Sequence, residues 1–361
     1  MVVDVTIVGA GIIGLATAAA AARKGLNVTL VGDQRPGEAS AAAAGMLAPS
    51  IERAPGPANA FALAARDRYP SYVEDLAEQT GIRVPLNRLG ILQVALTSAG
   101  VKGLRKTAPA TAEWIARSEL AEREPTLGHG LGAMINPDDG AVDNVTLMRA
   151  LTALADQEPA ITIQSDTVIR IDRSRGNPRV ELSSGRSIES KQVVIAGGAW
   201  SSLIEGARLT GVTPVRGQLI AYGGIGLRHV VYGPRGYLVP RVNLQTLAGS
   251  TMESVGFDST TTVEGLARIR SASEEIAPAL SVMPIQSSWA GLRPVTPDLL
   301  PILGPDPEAP NIIYACGHSR NGILLAPLTG DVLAAMLVGE PVLHDLSQFR
   351  PERFQGRFTR P

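Results

Sequence analysis

Cysteine is almost absent from this chain of 361 residues, in which Cys316 is the only one. A single cysteine excludes an intrachain disulfide and a cysteine-rich metal site. The four histidines, His129, His229, His318 and His344, are scattered without metal-ligand spacing such as H-x-x-x-H, so no metal site is expected. A formal net charge of −1 gives no electrostatic reason to bind nucleic acid or an anionic membrane.

Long apolar runs and a leader-like start are also missing. No apolar run reaches the roughly 18 residues that span a bilayer. The start, MVVDVTIVGA, enters a strand at once and has no basic segment followed by an apolar one. We therefore expect a soluble cytoplasmic protein with no membrane partner. Hydrophobic residues make up 45% of the chain, which allows a sizeable core, and the length favours two connected domains.

The first thirty or so residues form one strand–helix–strand unit. A buried apolar run over 5–8 leads into the spacing G-x-G-x-x-G, and an alanine-rich helix follows to Lys24. The three glycines allow a tight turn, close approach of the backbone to a pyrophosphate, and close packing of helix on strand. The N-terminus of the helix would place its partial positive charge against the phosphates, so the unit predicts dinucleotide binding. The residues predicted to contact the dinucleotide here are Gly9, Gly11, Ile12, Ile13 and Gly14.

The second strand ends where a ribose-binding carboxylate is expected, but that position is Gly32 and the acid follows one place later, at Asp33. Asp33 reaches the ribose only if the turn is reshaped. The next segment, GEASAAAAGMLAP, favours flavin over nicotinamide, because its small residues let the backbone and Ser40 approach a second phosphate-bearing region. The alternative is that this segment is simply the start of an alanine-rich helix.

A fixed positive charge stands between two glycines near the C-terminus, in GHSRNGILLAP. Arg320 and Asn321 precede an apolar run that is predicted to be helical. On its own the segment is typical of a solvated turn that caps a helix, since surface arginine is common. Whether the arginine has a function depends on the rest of the chain.

The order of elements predicts an α/β fold in which a Rossmann-like FAD-binding domain is interrupted twice. The interruptions are rich in strands, so they predict a discontinuous β-rich α+β substrate-binding domain. The segment 109–125 within the first interruption is predicted to be helical. The ranges predicted for the FAD-binding domain are 1–81, 143–212 and 286–361, and those for the substrate-binding domain are 82–142 and 213–285.

Six segments, in this order and spacing, carry a resemblance: VGAGIIG, SAAAAGMLAP, GAWS, MESVGFD, WAGLRPVTPD and GHSRNGILLAP. Over essentially the whole chain, the sequence resembles the glycine oxidase branch of the D-amino-acid oxidase superfamily. The resemblance implies non-covalent FAD, oxidation of glycine or small N-alkylglycines to an imine, and reduction of O2 to H2O2. It also implies either thiamine biosynthesis or specialised metabolism as the pathway.

The resemblance assigns functions to single residues. Arg293, in GLRP, would clamp the substrate carboxylate with its planar guanidinium, and Tyr237, in GYLVP, would add a phenolic hydrogen bond. Arg320 would position flavin and carboxylate, and the helix that follows would face the flavin pyrimidine O2. Since the lone pair of the substrate amine drives hydride transfer from Cα to flavin N5, no side-chain base is required. The other positions implied are Gly45, Met46, Val168, Gly198, Met252, His318, Asn321, Gly322, Ile323 and Leu324.

Several of these residues have a second, structural interpretation. Met46 and Met252 are also typical of core filling, and His318 of a hydrogen-bonded structural histidine. Arg235, two residues before Tyr237, has two interpretations. At the mouth of the pocket it would pair with a second carboxylate and favour an N-carboxymethyl amino acid as substrate; otherwise it points to solvent and steadies a loop.

The sequence therefore favours FAD-dependent oxidative deamination of glycine or an N-substituted glycine, giving an imine that hydrolyses to glyoxylate and an amine. Three alternatives stay open. They are a D-amino-acid or sarcosine dehydrogenase that uses an acceptor other than O2, a nicotinamide-dependent Rossmann protein, and a protein that holds FAD without turnover. The expected partners are an amino-acid substrate and O2, and a homo-oligomer is compatible with the sequence.

Overall fold

The computed structural model describes residues 2–174, 176–207 and 211–354. The predicted domain ranges also include 1, 175, 208–210 and 355–361, which lie outside the described residues. The strands are β1 (Val3–Val8), β2 (Val28–Val31), β3 (Met46–Leu47), β4 (Leu86–Asn87), β5 (Ile91–Ala95), β6 (Glu113–Ala116), β7 (Gly132–Asn136), β8 (Gly140–Val142), β9 (Ile161–Gln164), β10 (Val168–Asp172), β11 (Arg179–Leu182), β12 (Ser187–Ile195), β13 (Thr213–Gly223), β14 (Val230–Tyr232), β15 (Tyr237–Pro240), β16 (Gln245–Gly249), β17 (Ile285–Val295), β18 (Ile302–Asp306) and β19 (Ala309–Cys316). The α-helices are α1 (Ile12–Arg23), α2 (Ala39–Ala42), α3 (Pro57–Asp67), α4 (Tyr69–Thr80), α5 (Ser98–Thr107), α6 (Arg117–Arg123), α7 (Asn144–Gln157), α8 (Val263–Ile276) and α9 (Gly322–Leu337).

The first sheet contains the N-terminal strand–helix–strand unit. Its strand order is β10-β11-β12-β1-β2-β9, and β19 pairs with β12 and with β18. The strands β1, β2, β9, β12 and β19 are parallel, so their carboxyl ends lie at one edge of the sheet. Val5, Ile7 and Leu30 are fully buried, as expected for apolar runs in a parallel sheet that is covered on both faces. The predicted α/β fold class is confirmed.

Two apolar helices, α1 and α9, pack closely against each other. A Cβ atom added at Gly330 of α9 would lie 2.7 Å from the carbonyl oxygen of Ala16 in α1, so the absence of a side chain permits this approach. Because α9 is buried along most of its length, its position is set by packing. That packing brings the N-terminus of α9 to the edge of the first sheet.

The second sheet is built from the two predicted interruptions. Its order is β17-β13-β16-β15-β14-β5-β7-β6, and its pairs are antiparallel except for β5 with β14. It has its own core, which includes Ile220, Tyr222 and Ile276. The predicted boundary at residue 286 needs correction, because β17 (Ile285–Val295) pairs with β13 along its length. We therefore propose that the second domain extends to Val295.

The predicted helix over 109–125 is confirmed only in its C-terminal half. The chain forms strand β6 (Glu113–Ala116), which pairs with β7, and only then the short helix α6 (Arg117–Arg123). Pairing with a neighbouring strand at the sheet edge outweighs the local helical preference, an effect that depends on tertiary context. Among the described helices, none combines the length and apolar character that crossing a bilayer requires.

Candidate active site

A cavity of about 610 Å³ lies where the two sheets meet. From the first sheet it is lined by residues that end or follow parallel strands, namely Val8, Val31, Ala196 and Cys316. From the second sheet it is lined by residues of β13, β15 and β17. In open α/β sheets, ligands bind outside the carboxyl ends of the strands, so this edge is the expected place for a site.

The three glycines of the N-terminal motif have different positions. Gly9 has φ +109°, and a Cβ atom there would lie 2.4 Å from the carbonyl oxygen of Ala196. Both Gly9 and Gly11 line the cavity. Gly14 does not line it; a Cβ atom at Gly14 would lie 1.8 Å from the oxygen of Gly9, so its role is to pack helix on strand. The motif therefore leaves an open backbone surface at the start of α1.

The segment that was predicted to approach a phosphate forms a wall of the cavity. It includes the short helix α2, so the two interpretations of this alanine-rich stretch are compatible. Ile12, Ile13 and Ser40 line the cavity, and the Ser40 hydroxyl accepts a hydrogen bond from the Ile12 N–H at 3.0 Å. Gly45 also lines it with φ +73°, where a Cβ atom would lie 2.0 Å from the oxygen of Val142.

The turn after β2 lacks the usual carboxylate for a steric reason. A Cβ atom at Gly32 would lie 2.6 Å from the backbone nitrogen of Ala10, so any side chain there would displace the turn. Asp33 does line the cavity, and its Oδ1 accepts the Gln34 N–H at 2.9 Å and the Ser165 hydroxyl at 3.4 Å. The carboxylate is thus at the cavity and already partly hydrogen-bonded.

An arginine not predicted from the sequence lies beside this turn. Arg35 donates a hydrogen bond to the Thr167 hydroxyl at 3.0 Å, and its guanidinium lies 5.3 Å from the ring centroid of Trp200. Val168 and Gly198, both predicted, line the same part of the cavity. This part therefore offers a flat aromatic and guanidinium surface next to open backbone.

His318 is buried, with 2% exposure, and lines the cavity. Burial lowers the pKa of His318 from its ordinary 6.5 to about 3, so the imidazole is neutral at physiological pH. Its Nε2 lies 3.4 Å from the hydroxyl of Thr329 in α9. Both interpretations from the sequence are compatible with this position, since the ring is hydrogen-bonded and also faces the cavity.

The N-terminus of α9 faces the cavity. Asn321, Gly322 and Ile323 line it, whereas Leu324 is buried and does not. The first N–H groups of a helix have no partner within the helix and carry partial positive charge. The Tyr69 hydroxyl donates to the Ile323 carbonyl and fixes this turn from the α4 side.

Arg293 projects from β17 into the cavity between neutral partners. Its Nη1 donates to the Thr251 carbonyl at 3.0 Å and its Nη2 to the Ser250 hydroxyl at 2.8 Å. In the described part of the chain, no carboxylate is within ion-pair distance of this guanidinium. Partial burial lowers the pKa of Arg293, because desolvation disfavours the charged guanidinium. A Cβ atom at Gly217, on β13, would lie 1.9 Å from Nη1, so this glycine makes room for the guanidinium.

Tyr237 lies on β15 next to Arg293. Burial raises the pKa of the Tyr237 phenol, while the Arg293 charge opposes that rise, so the hydroxyl is neutral and able to donate. Met46 and Met252 line the same region. Met252 is 56% exposed, which rules out core filling for this residue.

Glu52 and Tyr232 are cavity residues that the sequence did not indicate. The Tyr232 hydroxyl donates to Glu52 Oε1 at 3.1 Å, and Glu52 Oε2 lies 3.5 Å from Arg320 Nε. Arg320 lines the cavity, but its side chain is half-exposed and its charge is opposed by Glu52. An isolated glutamate outside any motif gives no local signal, and only its position in space reveals it.

The interpretation of Arg235 as a residue of the pocket mouth needs correction. Its guanidinium pairs with Glu275 of α8 at 2.8 Å and contacts Ser271, and its side chain is 58% exposed. The neighbours Pro234 and Gly236 line the cavity, but Arg235 does not. Arg235 lies in the turn between β14 and β15, and its guanidinium is held toward α8 by Glu275 and Ser271. The alternative interpretation, a surface residue that steadies a loop, describes its position.

Comparison with known proteins decides the family. The family profile DAO, FAD dependent oxidoreductase, matches residues 4–336. The chain belongs to this family. It is 36% identical over 363 residues to the bifunctional protein ThiO/ThiG of Synechocystis sp., covering 97% of this chain and 54% of that protein. The chain thus spans about half the length of the bifunctional relatives.

Other relatives match along nearly their whole length. The glycine oxidase of Bacillus licheniformis is 32% identical over 361 residues, covering 97% of each chain. The crystal structure of glycine oxidase from Geobacillus kaustophilus has a TM-score of 0.90 at 30% identity, covering 99% of both chains. That of iminodiacetate oxidase from Chelativorans sp. BNC1 also has a TM-score of 0.90, at 26% identity, covering 96% of this chain and 99% of the other.

The cavity of this FAD dependent oxidoreductase fits the cofactor named in the family description. Gly9, Gly45 and Gly198 all have positive φ and present open backbone to the cavity. Two helix N-termini, of α1 and α9, reach it from different sides, and N–H groups there suit phosphate and other electron-rich groups. Gly11, Ile13, Asp33 and Val168 would hold the adenosine diphosphate half, and His318, Asn321 and Gly322 the flavin half.

Proposed function

We propose that this protein catalyses the FAD-dependent oxidative deamination of glycine or of N-substituted glycines. The observation that carries the proposal is the environment of Arg293. It is a partly buried guanidinium that faces the cavity and, within the described residues, has only neutral hydrogen-bond partners. A buried charge without a partner is costly, so the site is completed by a ligand that brings a carboxylate.

The residues around Arg293 fix the orientation of such a ligand. A carboxylate matches the planar fork of the guanidinium with both oxygens, and the Tyr237 hydroxyl adds a hydrogen bond from β15. Fixing the carboxylate of an α-amino acid also fixes its Cα and amine, one bond further on. Met46 and Met252 close the sides of this space with apolar surface.

Bound FAD would accept the two electrons and the hydrogen from Cα and pass the electrons to O2 as H2O2. The chain supplies position rather than proton transfer, since an amine that enters as the free base needs no side-chain base. Water then adds to the imine, and the products are glyoxylate and the amine. Glycine oxidases that match almost end to end, at about 30% identity, support this choice of substrate class.

An assay of amines tests the proposal. Purified protein, saturated with FAD, is mixed with glycine, sarcosine, D-alanine and N-substituted glycines that carry bulky or acidic groups, and H2O2 and glyoxylate are measured. We expect both products in equal amounts from glycine or a neutral N-substituted glycine. Turnover that requires an artificial acceptor would identify a dehydrogenase instead. Protein that stays colourless after FAD is added would contradict the proposal at its first step.

A further inference from the structure

Glu52 is held in a fixed position at the substrate end of the cavity. The loop before it is anchored by the buried Asp139, which accepts the Ser50 N–H at 3.1 Å and the Ser50 hydroxyl at 2.8 Å. Arg66 pairs with the same carboxylate at 3.0 Å. The Glu52 N–H donates to the Ala48 carbonyl at 3.0 Å, so the turn that leads into Glu52 is held by hydrogen bonds.

One carboxylate oxygen of Glu52 has no hydrogen bond. Its Oε1 accepts the Tyr232 hydroxyl, but its Oε2 is buried without a hydrogen-bond partner, and Arg320 Nε approaches it to 3.5 Å. The Glu52 side chain is only 14% exposed. Among the described buried side-chain atoms that lack a hydrogen bond, this oxygen alone belongs to a residue that lines the cavity.

The charged residues at this end of the cavity leave a net positive charge. The charged residues near Tyr232 and Tyr237 are Glu52, Arg293 and Arg320, while the other charged residues of the cavity lie on the turns next to β2 and β10. Glu52 opposes Arg320, so Arg293 is left with the unmatched positive charge. One substrate carboxylate restores balance, whereas a second would meet the carboxylate of Glu52.

We propose that Glu52 determines the charge specificity of the site. It selects substrates that have a single carboxylate and a neutral or hydrogen-donating group near the amine, and it rejects a second carboxylate. Repulsion between like charges excludes wrong ligands, and Oε2, which lacks a hydrogen bond, gives an N–H group an acceptor. This inference rests on the proposed function for its choice of substrate, but not for its choice of residue.

The variant Glu52→Gln tests the proposal in FAD-loaded protein. The ratio of kcat/KM for iminodiacetate to kcat/KM for glycine is expected to rise about tenfold or more, because Arg320 becomes available to a second carboxylate. The opposite variant, Arg320→Gln, leaves Glu52 unopposed, so the same ratio is expected to fall. Two control variants are expected to leave the ratio within about threefold of the parent. Glu52→Asp keeps the charge, and Glu275→Gln removes a carboxylate outside the cavity.

A binding measurement separates this inference from the proposed reaction. Acetate and malonate are titrated into each FAD-loaded protein, and the change in flavin absorbance gives the ratio of their Kd values. Glu52→Gln is expected to shift that ratio toward malonate by about tenfold or more, even if the parent oxidises no amine. An equal change in the Kd values of acetate and malonate would overturn the role of Glu52. So would an unchanged Kd ratio together with an unchanged kcat/KM ratio. Absence of turnover with a shifted Kd ratio would overturn only the proposed reaction.

Discussion

At the scale of residues, the site depends on how charges are paired. Arg293 has neutral partners and faces the cavity, Arg320 is opposed by Glu52, and Arg235 pairs with Glu275 on the surface. The three arginines therefore have different environments, which the sequence alone does not distinguish. Among the three, only Arg293 lacks a carboxylate partner within the described residues, and we propose that a ligand supplies one.

Arg293→Ala is expected to lower kcat/KM for the best substrate by about two orders of magnitude or more, since losing a buried, hydrogen-bonded charge pair costs roughly 2–5 kcal/mol. Steady-state kinetics and the flavin spectrum of the purified variant provide the measurement. Arg235→Ala is the matched control and should stay within about twofold of the parent, because that side chain is outside the cavity. Similar losses in both variants would show that Arg293 has no special role.

His318 is expected to make the free energy of unfolding depend on pH. The folded state holds its pKa near 3 and the unfolded state near 6.5, so its contribution to stability is fully present above pH 6.5 and is lost as pH falls toward 3. We compare the free energy of unfolding of the parent with that of His318→Gln. As the pH is lowered from about 6 to about 4, the difference is expected to change against the parent by about 1.4 kcal/mol per pH unit. Urea unfolding across this range measures it. Parallel pH curves would show that the imidazole is not buried.

Sequence motifs predicted many residues of the cavity but did not indicate Glu52. Arg293, Tyr237 and the turn at Arg320 all lie in segments with a recognisable pattern, and the structure brings them to one cavity. Glu52 belongs to no such pattern, and it reaches Arg320 only because the fold brings together residues 268 positions apart. The side-chain direction of Arg235 was also undetermined, because it depends on the packing of the β14–β15 turn against α8.

At the scale of elements, the cavity is formed by ends of strands and helices. The carboxyl ends of the parallel strands and the N-termini of α1 and α9 supply open backbone, while β13 and β17 supply the substrate side. The strand–helix–strand unit was predictable because the periodicity and the glycine spacing agree locally. The strand β6 was not predictable from the sequence, because the segment 109–125 favours a helix. Residues 113–116 form an edge strand because they pair with β7.

Gly217 shows how an element positions a functional side chain. Gly217→Ala would place a Cβ atom 1.9 Å from Arg293 Nη1, and the flexible end of the arginine would move. We expect retained FAD and a loss of kcat/KM of about 100-fold, since small misplacements of a binding group have large effects. Gly103→Ala is the control, because nothing lies within 4 Å of a Cβ atom there. Unchanged kcat/KM in Gly217→Ala would contradict the claim that Gly217 makes room for the Arg293 guanidinium.

At the scale of the whole molecule, two sheets enclose one cavity, and neither provides a complete site. The first offers a surface for FAD, and we propose that Arg293 and Tyr237 of the second hold the substrate carboxylate. The fold class was predicted correctly because the two interruptions differ in pattern from the α/β segments around them. The sequence alone did not show that β17 pairs with β13, since β17 has no local feature that tells which sheet it joins, and we propose that the second domain includes it.

The most direct test of the central claim is to mix the FAD-loaded protein with glycine or sarcosine without oxygen and follow the flavin absorbance near its visible maximum. We expect the absorbance to bleach with at least one of these amines, to return when O2 is admitted, and to bleach far more slowly in Arg293→Ala. Retained FAD that is not bleached by glycine, sarcosine or any neutral N-substituted glycine would contradict the claim that this cavity oxidises an amine held by its carboxylate.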